Sequence, residues 1–132
     1  MEEVFGPVIS SYTRAQAIED GVLADVTELA AEAGFVVPVA ITAAVHADIA
    51  EIPPSKSHQD YKGRLWDVLW MGYLAARAAG RRVVREGGEV PQDMRYKLIM
   101  PVGRRTYYSL KMHSGPGDDG GQVITIMRPD ED

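Results

Sequence analysis

The sequence predicts an α+β fold: a three- to four-stranded antiparallel sheet with a C-terminal meander, packed against a central buried helix over residues 62–80 and short N-terminal helices. Three observations carry it. Capping patterns punctuate the first part of the chain, an apolar run surrounds most of a helix near the middle, and a period of two takes over towards the end.

Taken in order, Val8–Tyr12 is an apolar segment of strand length. Thr13 followed by Gln16 has the spacing of a capping box, which starts a helix over 14–20, and Gly21 suits the left-handed position that stops it. Asp25 with Glu28 repeats the pattern, and Gly34 closes a second short helix. Phe35–Ile41 reads equally as a strand or as the lead into a third helix, which Thr42 caps over Ala43–Glu51 and which buries Val45, Ile49 and Ile52. Pro53-Pro54 ends it, and Ser55–Gly63 is a polar loop. From Leu65 to Leu74, apolar side chains encircle the central helix, so it is expected to be buried on most sides. Gly87-Gly88 and Pro91 mark a turn, with room for a short strand at Arg82–Arg85. Tyr96, Leu98 and Met100, then Tyr108, Leu110 and Met112, then Val123–Met127 give three antiparallel strands, the first two wet on one face.

A length of 132 residues gives a single domain, 1–132, able to bury a core without staples. There is no cysteine, which removes disulfide frameworks, thiolate metal sites and cysteine nucleophiles, and favours an intracellular, cytoplasmic setting. The acidic opening Met1-Glu2-Glu3 is unlike a secretory signal, and no apolar run reaches the ~20 residues that cross a bilayer. The net charge of −5 is segregated: residues 1–60 carry two basic against ten acidic side chains, 61–113 eleven against four, and 114–132 one against five. Such blocks either neutralise one another within the fold or present charged faces to a partner.

His46, His58 and His113 share no metal-ligand spacing, so no metal is expected, and no Gly-x-Ser-x-Gly elbow marks a serine hydrolase. The run Gly115–Gly121 suits a long hairpin turn better than a phosphate cradle, because adjacent aspartates repel phosphate and no helix follows. Asp67 sits within the apolar helix and must be paired, solvated or protonated. Either Arg64, one turn earlier, pairs with it, or it stands beside Trp66, Trp70 and Tyr73 at the edge of a pocket. The most informative surface is the basic sheet. Arg95, Lys97, Arg104, Arg105, Tyr107 and Lys111 lie on or between the first two meander strands, and alternation puts Arg95 and Lys97 on a solvent face with Tyr107 and Lys111 if the register pairs them. Tyrosine and arginine together are what interface hot spots use, and also what a nucleotide-stacking platform uses.

Three stretches carry a resemblance: Tyr12-Thr13-Arg14-Ala15-Gln16-Ala17-Ile18-Glu19-Asp20-Gly21-Val22-Leu23 with Asp25-Val26-Thr27, then Gly63-Arg64-Leu65-Trp66-Asp67-Val68-Leu69-Trp70-Met71, then Ser114-Gly115-Pro116-Gly117-Asp118-Asp119 with Val123–Met127. Together the chain resembles an uncharacterised bacterial domain-of-unknown-function family frequent on phages and plasmids. The resemblance spans nearly the whole chain and implies an accessory protein of a mobile element, with no catalytic residue to carry over. Its expected role is non-enzymatic binding of a host protein or complex, host defence components included, with no cofactor. A homodimer is compatible with the same surfaces. A nucleotide- or NAD-binding domain is the enzyme-class alternative, because Thr13 opening a helix before Gly21-Val22-Leu23 is similar to the first unit of ADP-ribosyl-transferring domains, although the glycine before the threonine and the late glutamate motif are missing. Weak nucleic-acid binding is the third reading.

Overall fold

The computed structural model describes residues 12–132. The strand expected over Val8–Tyr12 therefore lies, but for Tyr12, outside the described residues. In chain order the elements are α1 (Arg14–Glu19), β1 (Leu23–Asp25), α2 (Thr27–Ala33), β2 (Val39–Thr42), α3 (Ala43–Ala50), a 3₁₀ turn (Pro54–Lys56), α4 (Tyr61–Glu86), β3 (Asp93–Val102), β4 (Arg105–Pro116) and β5 (Gln122–Met127).

The strands make one sheet in the order β1-β2-β5-β4-β3. The meander is present as expected, with β3, β4 and β5 pairing antiparallel. Among the described residues the sheet nevertheless has five strands rather than three or four, and β2 runs parallel to β5, with Val39 opposite Ile124 and Ile41 opposite Ile126. Val39, Ala40 and Ile41 are all buried, the two-sided burial that parallel pairing requires and that hides a strand from any test based on alternation. β1 is three residues long, too short to show a period.

Local chemistry explains most boundaries. Both halves of the Thr13–Gln16 capping box form, and Thr42 Oγ1 accepts from Val45 N at the start of α3. The second box does not form. Asp25 Oδ1 instead accepts from Thr27 N (3.0 Å) and the Thr27 hydroxyl (2.5 Å), while Thr27 Oγ1 accepts from Val39 N (3.1 Å), so this threonine ties α2 to β2. Asp60 caps α4 by accepting from Gly63 N (2.7 Å), which brings Tyr61–Gly63 into the helix. α4 then runs to Glu86 instead of residue 80, and Arg82–Arg85 is helix rather than strand. Extending a formed helix through Val83-Val84 costs a few tenths of a kcal/mol per residue, less than starting a new strand, and Gly87 at φ 83° stops it.

The inner face of the sheet, with Leu98, Met100, Tyr108, Leu110, Met112, Ile124 and Ile126, packs on α2, α3 and the first half of α4. α4 is buried along one side only, through Arg64, Leu65, Val68, Leu69 and Gly72, whereas Trp70, Met71 and Leu74 reach solvent. The tyrosine of β3 fixes the crossing: Tyr96 OH donates to Val68 O (2.9 Å) and lies so close to α4 that a Cβ on Gly72 would stand 3.0 Å from the hydroxyl oxygen. α1 lies over the other face, where Arg14 donates to Thr125 Oγ1 and Ile124 O, each at 2.7 Å.

Gly34 combines two constraints, a φ of 124° and a site where a Cβ would sit 2.6 Å from the Tyr73 ring. Gly34→Ala is expected to lower stability by about 2–4 kcal/mol, the sum of left-handed strain and overpacking. Urea unfolding measures it, and a change below about 1 kcal/mol would show that the α2–α4 contact yields freely.

Candidate functional site

Pairing across β3 and β4 decides which side chains share a face. Arg95 lies opposite Lys111, Lys97 opposite Ser109 and Ile99 opposite Tyr107, while the intervening pairs, Tyr96 with Leu110 and Leu98 with Tyr108, point into the core. Arg95, Lys97, Tyr107 and Lys111 therefore meet on one outer face, with Ile99 at 70% and Tyr107 at 54% exposure. Lys97 Nζ stands 5.1 Å from the centre of the Tyr107 ring, a cation–π contact on the diagonal.

The other two cations are placed differently. Arg104 follows Gly103 in the β3–β4 turn, where Gly103 adopts φ 60°. A register shift between Ile99 and Val102 breaks the alternation, and Arg105 lines a cavity of about 520 Å³ with Asp48, Glu51, Tyr108 and Arg128. Of the tyrosines, only Tyr107 belongs to the wet face. Tyr96 and Tyr108 turn inward, and burial pushes both hydroxyls far above the usual tyrosine range, so they are neutral donors.

The segment after β5 crosses this face. Lys111 Nζ donates to Glu131 O (2.5 Å) and Arg95 Nη2 reaches Pro129 O (3.4 Å). Glu131 Oε1 accepts from Arg128 N (2.7 Å) and from the Thr42 hydroxyl (2.8 Å). Backbone carbonyls thus orient two of the cations without neutralising them. The ladder between β4 and β5 begins at Lys111–Met127, so the earlier part of β4 borders the cavity that Arg105 and Asp48 line.

Asp48 is the buried carboxylate of the molecule's inner face. It accepts from Tyr108 OH (2.7 Å) and from Arg128 Nε (2.9 Å) and Nη2 (2.7 Å), a bidentate pair joining α3, β4 and the C-terminal segment. Burial alone would raise its carboxyl, but the hydrogen bonds from Arg128 and Tyr108 and the Arg128 charge hold it below the ordinary carboxylate value. Nothing in a lone aspartate on an α-helix signals this; its partners are 60 and 80 residues away.

On α4, Arg64 does not pair with Asp67. Only 2% exposed, it donates to the carbonyls of Ile49 (2.9 Å) and Asp48 (3.1 Å) and to Gln59 Oε1 (3.0 Å), satisfying the frayed end of α3. Asp67 instead faces a cavity of about 600 Å³ with Trp66, Glu32 and Asp60, and burial pushes its carboxyl upward. Trp66 and Trp70 stack at 6.2 Å and 7°, and Trp70 and Tyr73 at 5.8 Å and 27°, with Phe35 edge-on to Tyr73 at 5.9 Å. Trp66 and Asp67 border the cavity; Trp70 and Tyr73 continue the ladder away from it.

Two further features are structural. Asp118, in the glycine-rich turn, accepts from Arg14 N (2.8 Å) and Ala15 N (3.0 Å), so the loop caps α1. These backbone hydrogen bonds hold its carboxyl below the ordinary range. His113 Nδ1 lies 2.5 Å from Asp93 Oδ1 across β3 and β4, a contact that sequence alone misses because it depends on register. Among the described residues, no group of three or more His, Asp and Glu side chains could hold a metal ion, and no helix is long and apolar enough to cross a membrane.

A family model described as Family of unknown function (DUF6573) matches residues 1–132. No curated protein and no solved structure matches the chain.

Asp48 makes the acid limb of stability predictable. Its carboxyl titrates lower in the folded than in the unfolded chain, so its contribution is complete above the unfolded value of about 3.9 and is lost as pH falls through the folded one. Asp48→Asn offers fewer acceptors where three donors converge. It is expected to cost about 2 kcal/mol at pH 7, less than breaking a fully buried pair because Arg128 is part-exposed. The difference from wild type should shrink as pH falls below the unfolded value of about 3.9, and urea midpoints measured on that descent test it.

Proposed function

We propose, for a chain that belongs to the Family of unknown function (DUF6573) along its whole length, that it works as a binding protein and that the outer face of β3 and β4 is its contact surface. The observation that carries this is the register: it gathers Arg95, Lys97 and Lys111 around Tyr107 and Ile99 on a face that no helix of the described residues covers. Ile99, 70% exposed, and Tyr107, 54% exposed, put apolar surface at the centre of the cationic cluster. An apolar centre ringed by cations suits a protein partner with an apolar anchor and carboxylates around it. The tyrosine held under Lys97 offers a rigid aromatic anchor at low entropic cost. The resemblance to phage- and plasmid-borne proteins extends the proposal: the partner is a host protein or complex, and the role is that of an accessory factor of a mobile element in the cytoplasm.

The second reading, weak nucleic-acid binding, draws on the same Lys97–Tyr107 pair, since a base can stack where the aromatic ring is exposed. Salt separates the two. Binding to an oligonucleotide should fall steeply as salt rises, in proportion to the phosphates neutralised, whereas a protein contact centred on Ile99 and Tyr107 should persist.

Retention of a host partner on the immobilised chain tests the face directly. Lys97→Glu and Ile99→Asp are each expected to reduce retention at least ~10-fold, corresponding to about 1.4 kcal/mol. Both positions are solvent-exposed, so stability should stay within about 0.5 kcal/mol of wild type. Full retention by both variants, with folding intact, would place the contact elsewhere.

A further inference from the structure

The second half of α4 carries a surface that the fold leaves unused. Trp70, Leu74, Arg77, Arg81 and Val84 are spaced four, three, four and three residues apart, so they form one line along the helix. All five are exposed, Val84 to 89% and Trp70 to 39%, with Met71 widening the apolar end. The opposite side of the same turns faces the sheet, with Gly72 against Tyr96 and with Ala75, Ala79 and Val83 lining a cavity together with Met94. The charge is equally one-sided. From Val68 to Arg85 there are four arginines and no acidic residue; Asp67 precedes this span and Glu86 follows it. Arg85 contacts Glu86 at 3.4 Å, while Arg77 and Arg81 meet no carboxylate within 4.0 Å among the described residues.

We propose that this line is a second docking surface, distinct from the sheet face, and that it takes an acidic amphipathic helix of another protein. Charge complementarity selects the occupant. A second copy of α4 laid antiparallel about Arg77 would set Arg77 on Arg77 and Leu74 on Arg81, and a parallel copy would stack each arginine on its twin, so both put like charges into one seam. A helix with apolar residues towards its ends and two carboxylates between them fits, since its acids meet Arg77 and Arg81 while its apolar groups cover Trp70, Leu74 and Val84. Membrane-surface helices keep a continuous apolar face with cations on the polar side, whereas here the arginines interrupt the apolar line itself. Phosphate recognition would make no use of Trp70 and Val84.

The experiment uses the intact chain and a labelled 18-residue helical peptide with leucines and two central glutamates in the same four-three-four-three spacing, alongside a twin with lysines in place of the glutamates. The glutamate peptide is expected to bind at least tenfold tighter, the double variant Arg77→Glu/Arg81→Glu to reverse that preference, and Val84→Asp to weaken binding with circular dichroism and melting unchanged. Equal affinity for the two peptides, or no reversal in the double variant, overturns the proposal. So does tighter binding to phosphatidylserine vesicles or to a DNA duplex that the same arginine changes abolish, or a sedimenting dimer that Val84→Asp dissolves.

Discussion

The parallel pairing of β2 with β5 is the contact on which the rest of the architecture depends. It joins Val39 to Ile124 and Ile41 to Ile126, residues 85 apart in sequence, and so makes one sheet of an N-terminal strand pair and a C-terminal meander. A parallel pair demands a crossover, and here the crossover contains α3, α4 and the two long strands of the hairpin. The helices between the two strands are thereby laid against a single inner face, and the hairpin extends the sheet beside β5. The Asp48–Arg128 bridge fastens that arrangement, since it ties α3, which follows β2 directly, to the residue just beyond β5.

With the helices α2, α3 and α4 on one side, the two faces of the sheet acquire different fates. The inner face becomes an apolar core in which the polar groups are individually answered: Tyr96 by a helix carbonyl, Tyr108 by Asp48, Arg64 by the carbonyls that end α3. The outer face is covered by α1 near β5 and left wet over β3 and β4. Charge segregation along the chain becomes spatial for the same reason, because the basic block of residues 61–113 supplies both the outer strands and the free half of α4. The C-terminal segment answers Arg95 and Lys111 with carbonyl oxygens, which direct these side chains, and the Asp93 carboxylate on the same face feels both charges.

What the sequence discloses depends on whether the determining interaction is local. The Thr13 box, the Thr42 cap, the meander and its half-wet strands are set by neighbours within a few residues or by alternation, and they are legible. β2 is hidden because both its faces are buried, and the true length of α4 because valines at 83 and 84 have strand preference that a helix already formed overrides. Arg64 is the clearest displacement. Its spacing to Asp67 suggests a helix pair, but α3 ends with carbonyls in need of donors, and those are worth more to a buried guanidinium than an exposed carboxylate is. Of the basic residues, alternation places Arg95, Lys97 and Lys111 correctly on one face, and Arg105 stands at the start of β4, past the register shift, where it lines the cavity with Asp48.

The cap on α1 sets an order of events during synthesis. A helix of six residues has no standing of its own, and two of its first amide groups are answered only by Asp118, more than a hundred positions downstream. The ribosome releases the start of the chain long before it makes the turn that holds that aspartate. The start of α1 must therefore wait, uncapped by Asp118, until the last hairpin emerges and folds back over it. In a nascent chain, the earliest helix among the described residues is thus one of the last to be secured.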